Sequence, residues 1–261
     1  AAFPVASGKR LLYNKNDIYF YERYCMIKAI FFDLDGTLLP MDLDVFLKDY
    51  LTRFTIAMAP AGHTPQQFQQ AVWAGTNAMV KNDGQAINED RFWQSFEAAY
   101  GKSAREDEEF FAAYYREDFD KVSASCGYTP AAREVIDTVK ACGMRAALAT
   151  NPIFPSMATE RHIAWAGFST ADFELYTTYE NSRFCKPNPA YYLEVMQKLG
   201  VAPEECLMVG NDVEEDMIAE TLGCRVFLLT NDLINRGGTD ISRYPNGDYR
   251  DLIEFIKNLN A

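Results

Sequence analysis

The alternation of helical segments with short apolar strands after residue 127 limits the fold of this chain more than any other feature. In chain order the segments read "TPAAREVIDTVKACG", "MRAALAT", "SMATERHIAWAG", "FELYTT", "NPAYYLEVMQKLG", "CLMVG", "EEDMIAETLG" and "RVFLLT". Thr129 can cap the first helix, Pro130 suits its first position, and a glycine ends each of the four helical segments. Four helix–glycine–strand units in succession predict an α/β fold whose parallel sheet is covered on both faces. The apolar residues 27–32 are predicted to add a further strand to this sheet.

The segment between this first strand and the later units has a different pattern. Residues 41–127 show no clear strand, and four stretches carry helical spacing of apolar residues. The stretches are "LDVFLKDYLTRFTIAMA", "TPQQFQQAVWAGTNAMVKN", "NEDRFWQSFEAAYG" and "REDEEFFAAYYREDFDKV". We therefore predict a helical insertion, residues 41–127, in a core made of residues 26–40 and 128–261. Residues 1–25 are interpreted as an extension of uncertain origin with a natural start at Met26, and a genuine N-terminal strand or arm is the alternative.

Composition restricts the partners. The net charge of −12 argues against nucleic acid and anionic membranes as partners, but it leaves anionic substrates open because a bound cation can invert the local field. Six cysteines lie scattered without a CxxC pair, which is typical of reduced thiols, so we expect a cytoplasmic protein. No apolar run reaches the roughly 18 residues of a membrane span. The oligomeric state cannot be read from the sequence.

Polar residues that could take part in catalysis or ligand binding follow several of the predicted strands. The carboxyl ends of parallel strands meet at one edge of a sheet, which is where ligands bind in open α/β folds. Each residue alone has an ordinary structural explanation, such as a turn, a cap or a surface position. Their common place at strand ends, however, predicts one site. These residues are, in chain order, Asp33, Asp35, Thr150, Asn151, Lys186, Asp212 and Asp216.

The residue types at these positions suit phosphoryl transfer. Asp33 could attack phosphorus and form an aspartyl phosphate, while Asp35 could protonate the leaving oxygen and then deprotonate the attacking water. Lys186 would balance the negative charge and hold the phosphate. Thr150 and the amide of Asn151 would donate hydrogen bonds to phosphoryl oxygens.

The acidic residues also suit a metal ion. Mg²⁺ prefers hard oxygen ligands and keeps several waters in its shell. Asp33, the backbone carbonyl of Asp35 and a carboxylate from residues 211–216 would supply such ligands. We therefore predict Mg²⁺ as the cofactor.

Four motifs in this order resemble those of the haloacid dehalogenase superfamily of hydrolases. The motifs are "DLDGT", "ALATN", "KPNP" and "GNDVEED", and the resemblance covers residues 26–40 and about 128–230. It implies a Rossmann-like core with a mobile cap. The insertion lies between the first and second motifs, which resembles a helical type-one cap. The stretch between the second and third motifs is too short for a second cap.

The resemblance also implies roles for individual residues. Asp33 matches the family's nucleophile and Asp35 its acid/base, while Thr150 and Lys186 match its phosphate ligands. The acids of the fourth motif match its metal ligands.

The fourth motif departs from the family pattern in one respect. Many relatives have Gly-Asp where this chain has Gly210-Asn211, with another aspartate five residues on, which is Asp216 here. Other relatives space the two acids by four residues, which fits Asp212 and Asp216. We predict that Asp212 binds the metal and that Asp216 supports it.

The function expected from these residues is Mg²⁺-dependent hydrolysis of small phosphate monoesters from metabolism. The family's dehalogenases typically lack the second aspartate, so Asp35 favours a phosphatase. A phosphomutase of the same family remains open, as does an inactive relative that acts as a binding protein. A response-regulator module would have its acidic pair at the first strand and the acceptor later, which is the reverse of the order here. The sequence does not identify the substrate. Candidates for contacting it in the insertion are Trp73, Asn77, Arg91 and Trp93.

Overall fold

The computed structural model describes residues 9–12, 20–23 and 26–260. Its main sheet has five parallel strands in the order β4-β3-β5-β6-β7. The strands are β3 (Ala29–Phe32), β4 (Arg145–Leu148), β5 (Cys206–Gly210), β6 (Arg225–Leu229) and β7 (Asn246–Gly247). Two further strands, β1 (Lys9–Leu12) and β2 (Phe20–Arg23), pair with each other in an antiparallel ladder, which falls in the segment interpreted as an extension. The expected α/β class with a parallel sheet is confirmed.

Helices account for most of the remaining structure. Four α-helices follow β3: α1 (Leu43–Met58), α2 (Pro65–Val80), α3 (Asn88–Tyr100) and α4 (Glu108–Ala113). Four more belong to the sheet region: α5 (Pro130–Ala141), α6 (Ser156–Trp165), α7 (Pro189–Leu199) and α8 (Tyr249–Asn258). Among the helices of the described residues we find no candidate for a membrane-spanning segment.

Three predicted elements differ in the structure. The apolar pattern of residues 173–178 predicts a strand, but only Tyr176 forms an isolated bridge, with Leu148. The reason is a register step: Glu174 N donates to Ala146 O, whereas Leu148 N donates to Leu175 O, one residue past the acceptor of a regular parallel ladder.

The two other differences are in helices. The predicted helix over 214–223 is a 3₁₀-helix, Met217–Leu222, in which a backbone N–H bonds to the carbonyl three residues back, as from Ala219 to Asp216. The last helix of the insertion is divided into 3₁₀, α, π and 3₁₀ segments between Ala104 and Ser125.

Both faces of the sheet are buried, which explains why its strands are continuous apolar runs. Along β3, Ile30 and Phe32 belong to one hydrophobic cluster, while Ala29 and Phe31 belong to the other. The first cluster includes residues of α5 and α8, and the second includes residues of α7. The first cluster also continues into α1–α4, so the insertion shares one core with the sheet.

An ion pair ties α5 to the segment that follows α6. The Arg133 guanidinium donates to both carboxylate oxygens of Asp172, at 2.9 and 3.1 Å, and Lys140 donates to Asp172 at 2.8 Å. The Arg133 hydrogen bond is the main reason that the pKa of Asp172 is held below its ordinary value. None of these three residues is among the predicted site residues.

Candidate active site

Asp33 leaves the carboxyl end of β3 and is almost fully buried. Its backbone N–H donates to Val209 O at 2.9 Å, which fixes it beside the end of β5. Its Oδ1 accepts from Lys186 Nζ at 2.8 Å, and its Oδ2 lies 3.4 Å from the hydroxyl of Thr37. A buried strand therefore presents one carboxylate with a fixed position and a cation against it.

The turn after Asp33 is shaped by Gly36 and Asn211. Gly36 has φ +82°, and a Cβ there would lie 2.3 Å from Asn211 Nδ2, so only glycine fits this turn. Asn211 Oδ1 accepts from the Thr37 hydroxyl at 3.0 Å, and its Nδ2 donates to Asp232 O. The Asn211 side chain thus joins the turn after β3 to the loops after β5 and β6.

Lys186 is the buried cation of the site. Its side chain is fully buried, and its Nζ donates to Asp216 Oδ1 at 2.6 Å as well as to Asp33. Gly210 allows this approach, because a Cβ there would lie 2.0 Å from Asp216 Oδ2. The structure therefore brings together residues of three sequence motifs that lie up to 183 positions apart.

Charge in this cluster is unbalanced. Burial raises the pKa of Asp33 and raises that of Asp216 to about 7, with Lys186 opposing both shifts. Burial lowers the pKa of Lys186, but the two carboxylates outweigh it and hold the pKa well above its ordinary value. Two buried carboxylates therefore face one buried ammonium, and a further cation would be favourable here.

Asp212 lies just beyond this cluster and is also buried. Its Oδ1 accepts from the N–H groups of Glu214 and Glu215, at 2.8 and 3.0 Å. Its Oδ2 accepts from Arg236 at 2.8 Å, and that arginine side chain is 57% exposed. Because an exposed ion pair is weak, Arg236 can yield this oxygen to another cation at small cost.

Thr150 and Asn151 follow β4, as the sequence predicts. The carbonyl of Thr150 accepts from Thr177 Oγ1 at 2.7 Å and from Tyr191 OH at 2.8 Å, which fixes the strand end. The side-chain amide of Asn151 donates to Glu215 Oε2 at 3.0 Å.

Glu215 was missed by the sequence reasoning, although it lies inside the fourth motif. Burial raises its pKa, Lys186 opposes the shift, and both Asp212 and Asp33 add to it. Glu215 is thus a further acidic residue whose pKa depends on the charges of the site.

Asp35 has a partner that the motifs do not indicate. Its Oδ1 lies 2.9 Å from Nδ1 of His162, which is on α6 and is 2% exposed. The sequence motifs give His162 no role. It is separated from Asp35 by 127 positions, and no local pattern links the two residues.

The donor set fits a divalent metal ion. Asp33, Asp212 and Asp216 carry hard carboxylate oxygens, and these carboxylates outnumber the buried cations. Within the described part of the chain, no three acidic, histidine or cysteine side chains already converge on one point. Lys186 and Arg236 bind the carboxylate oxygens that a metal ion would share.

Comparison with known proteins identifies the family. A model of the family "haloacid dehalogenase-like hydrolase" matches residues 27–220, which is most of the chain. The chain therefore belongs to this family of hydrolases, and the resemblance drawn from the four motifs is confirmed.

Relatives and solved structures agree with this assignment. The phosphoglycolate phosphatase of Mannheimia succiniciproducens is 27% identical over 241 residues, which cover 88% of this chain and 97% of the relative. The phosphoglycolate phosphatase of Vibrio vulnificus strain YJ016 is 28% identical over 209 residues, 78% of this chain and 84% of the relative. The crystal structure of a haloacid dehalogenase-type phosphatase from Thermococcus onnurineus matches with a TM-score of 0.56 at 18% identity. The match covers 90% of this chain and 100% of that one, which shows a shared fold.

Proposed function

We propose that the protein is a phosphatase that hydrolyses small phosphate monoesters through an aspartyl-phosphate intermediate. Hydrolysis of phosphoric monoesters is supported by the family and by relatives named as phosphatases. The observation that carries the mechanism is the position of Asp33. This carboxylate is fixed at the end of β3, bound to a buried lysine, with a second aspartate two residues on.

In this mechanism Asp33 attacks phosphorus and Asp35 donates a proton to the leaving oxygen. Asp35 then accepts the proton of the water that hydrolyses the phosphoenzyme. Lys186 favours the ionised form of Asp33 against the effect of burial and binds a phosphoryl oxygen. The Thr150 hydroxyl and the backbone N–H of Asn151 donate to the other phosphoryl oxygens, since the side-chain amide of Asn151 is engaged by Glu215.

Mg²⁺ is the proposed cofactor. Asp33, the backbone carbonyl of Asp35 and Asp212 would hold it, with Asp216 in support through Lys186. When bound, the ion supplies positive charge that neutralises the phosphoryl group and the crowded carboxylates.

The helical insertion, residues 41–127, is proposed to act as a cap over the sheet edge. Its helices share a hydrophobic cluster with the sheet region, which supports a position beside the sheet edge. A small phosphorylated metabolite is the proposed substrate. We also propose a cytoplasmic location, because five of the cysteines are free thiols in the described residues.

The first experiment is turnover of p-nitrophenyl phosphate with Mg²⁺, combined with acid quench to trap a phosphoenzyme. Asp33→Asn should remove turnover and the trapped species while the thermal unfolding curve stays near that of the wild type. Asp137→Asn, at an exposed position on α5, is the matched control and should behave as wild type. Near-normal kcat in a folded Asp33→Asn variant would exclude the covalent mechanism, and full activity after exhaustive chelation would exclude the metal.

A further inference from the structure

A cavity of about 900 Å³ lies between the helical insertion and the loop that follows Asn151. This volume is typical of a small-molecule site. Most of its wall is aromatic or aliphatic, including Trp73 and Trp93, which are candidates from the sequence. Its charged lining residues are Glu89, Asp90 and Glu97, and no lysine, arginine or histidine lines it within the described residues.

The cavity lies beside the proposed active site, because the loop that follows Asn151 forms part of its wall. Ile153 and Phe154 belong to its wall, and Ile153 N donates to Asn151 O at 2.8 Å. The ring of Phe154 lies 5.4 Å from the ring of His162, which binds Asp35. The loop from Asn151 to Phe154 therefore connects the proposed phosphate-binding residues to the cavity wall, although none of the proposed catalytic or phosphate-binding residues lines the cavity itself.

We propose that this cavity receives the leaving group of the substrate, and that this group is apolar or aromatic and carries no negative charge. The inference rests on the proposed phosphatase function. Aromatic walls favour burial of an apolar group, while three carboxylates repel a second anion. The substrate class therefore differs from that of the relatives named phosphoglycolate phosphatase, because the carboxylate of phosphoglycolate would face acidic and apolar side chains in this wall. A cationic amine would be compatible with the acidic side chains.

The test compares kcat/KM for alkyl phosphates whose leaving groups have similar chemistry. 2-Phenylethyl phosphate should exceed ethyl phosphate by about 10- to 100-fold, as expected for burial of a phenyl group. 2-Aminoethyl phosphate should exceed phosphoglycolate by at least about tenfold. Phosphoglycolate as the best substrate, or equal values for the phenyl and ethyl esters, would overturn the proposal while leaving the phosphatase function intact. Failure to hydrolyse even p-nitrophenyl phosphate would refute both.

A charge reversal provides the matched comparison. Glu89→Arg should raise kcat/KM for phosphoglycolate relative to 2-aminoethyl phosphate by about tenfold or more. Glu117→Arg makes the same charge change at an exposed position of the insertion and should leave this ratio unchanged. If Glu89→Arg does not fold, Glu89→Gln should shift the ratio in the same direction by a smaller factor. A ratio that does not move in the folded Glu89 variant, or that moves equally in both variants, would place the organic group elsewhere.

A second, independent observation concerns His162. Four aromatic rings surround its imidazole: Phe46 at 5.1 Å, Phe119 at 5.6 Å, Phe154 at 5.4 Å and Trp165 at 4.9 Å between centroids. Its Nε2 is buried without a hydrogen-bond partner, so the bond from Nδ1 to Asp35 is the one polar contact found for the ring in the described residues. Burying an imidazole nitrogen without a partner is costly, which an ordinary core position would avoid with an apolar residue.

We infer that His162 is a positioning residue for Asp35. The aromatic rings fix the imidazole, and the imidazole fixes Oδ1 of Asp35 at 2.9 Å, so that the other carboxyl oxygen is directed for proton transfer. The Asp35 side chain is 19% exposed and would otherwise be free to turn toward water. A misplacement of about 1 Å in such a group can cost roughly 10²-fold in rate.

Three variants separate positioning from packing. His162→Phe retains a ring in the aromatic surroundings but loses the hydrogen bond, and His162→Gln places its amide nearer to the Nε2 position. His162→Asn can place an amide nitrogen near Nδ1. In single-turnover experiments, ethyl phosphate should react about 10- to 100-fold more slowly with the His162→Phe and His162→Gln variants than with the wild type. The His162→Asn variant should regain most of the wild-type rate. With p-nitrophenyl phosphate, whose leaving group needs little protonation, the first step should change less than about threefold.

The alternative to this role is a histidine that only fills space. Equal losses on both substrates, or an ethyl phosphate rate near wild type in folded His162→Phe, would overturn the inference. If the His162→Phe variant does not fold, the His162→Asn and His162→Gln variants are compared instead. Equal rates of these two variants on ethyl phosphate would also overturn the inference.

Discussion

Lys186 should be one of the most sensitive positions for the stability of this protein. Its ammonium group is fully buried and donates to Asp33 at 2.8 Å and to Asp216 at 2.6 Å. Replacement by methionine fills a similar volume but leaves the Asp33 and Asp216 carboxylates buried without the cation that both contact. Breaking a buried pair in this way costs about 3–5 kcal/mol of the free energy of unfolding. At about 2–4 °C per kcal/mol, the melting temperature should fall by about 6–20 °C.

The measurement is denaturant and thermal unfolding of Lys186→Met in the presence of a chelator. A second variant, Lys186→Met combined with Asp216→Asn, removes one of the two repelling carboxylates and should recover at least about 1.5 kcal/mol. Lys140→Met is the matched control because Lys140 also pairs with an aspartate, but its side chain is 45% exposed. That change should cost less than about 1 kcal/mol. A Lys186→Met variant as stable as the Lys140→Met variant would refute the assignment of Lys186 as a buried counter-ion.

Three further predictions concern the acidic residues. Asp35→Asn should slow single turnover of an alkyl phosphate by about 10²–10⁴-fold but that of p-nitrophenyl phosphate much less, and rapid quench should trap a phosphoenzyme; equal losses on both substrates without a trapped species would remove Asp35 from the acid/base role. Asp212→Ala should need much more Mg²⁺ for half-maximal activity than wild type, whereas the same effect in Asn211→Ala alone would mean that the metal position is one residue earlier. Asp172→Asn should cost about 1 kcal/mol at pH 7, because the hydrogen bond from Arg133 holds the pKa of Asp172 below its ordinary value of 3.8. A lowered pKa stabilises the folded state above that ordinary value, so in unfolding measurements the cost should shrink progressively as the pH falls from about 3.8 toward the lower pKa of the folded state; a cost that is independent of pH would contradict the role of the ion pair.

The sequence by itself determined the sheet and the edge where the site lies. Apolar runs that end in polar residues define parallel strands, and the chemistry of parallel strands collects at their carboxyl ends. Asp33, Lys186 and Asp216 could therefore be grouped from their positions in the sequence, and the fold brings them within hydrogen-bond distance. The roles proposed for these residues in catalysis are tested by the variants described here.

Local details of backbone geometry were decided by the fold. Residues 173–178 have the apolar character of a strand, but the register step beside β4 leaves one bridge, and register is not encoded in apolarity. The helix predicted over 214–223 is a 3₁₀-helix, in which Ala219 N donates to Asp216 O three residues back, and apolar spacing does not distinguish this from an α-helix. In both places the apolar pattern predicts an element, whereas the backbone hydrogen bonds that define its type depend on the surrounding structure.

Only the tertiary structure could reveal the partners of the predicted residues. His162 looks like an ordinary position on an amphipathic helix, and its contact with Asp35 arises because α6 packs against the turn after β3. The acidic and aromatic wall of the cavity combines α3 with the loop after Asn151, two segments far apart in the chain. Periodicity and motifs indicate which face of a segment is buried and which residues can react. The identity of the neighbour across a long-range contact depends on how the elements pack, and that packing is a property of the whole chain.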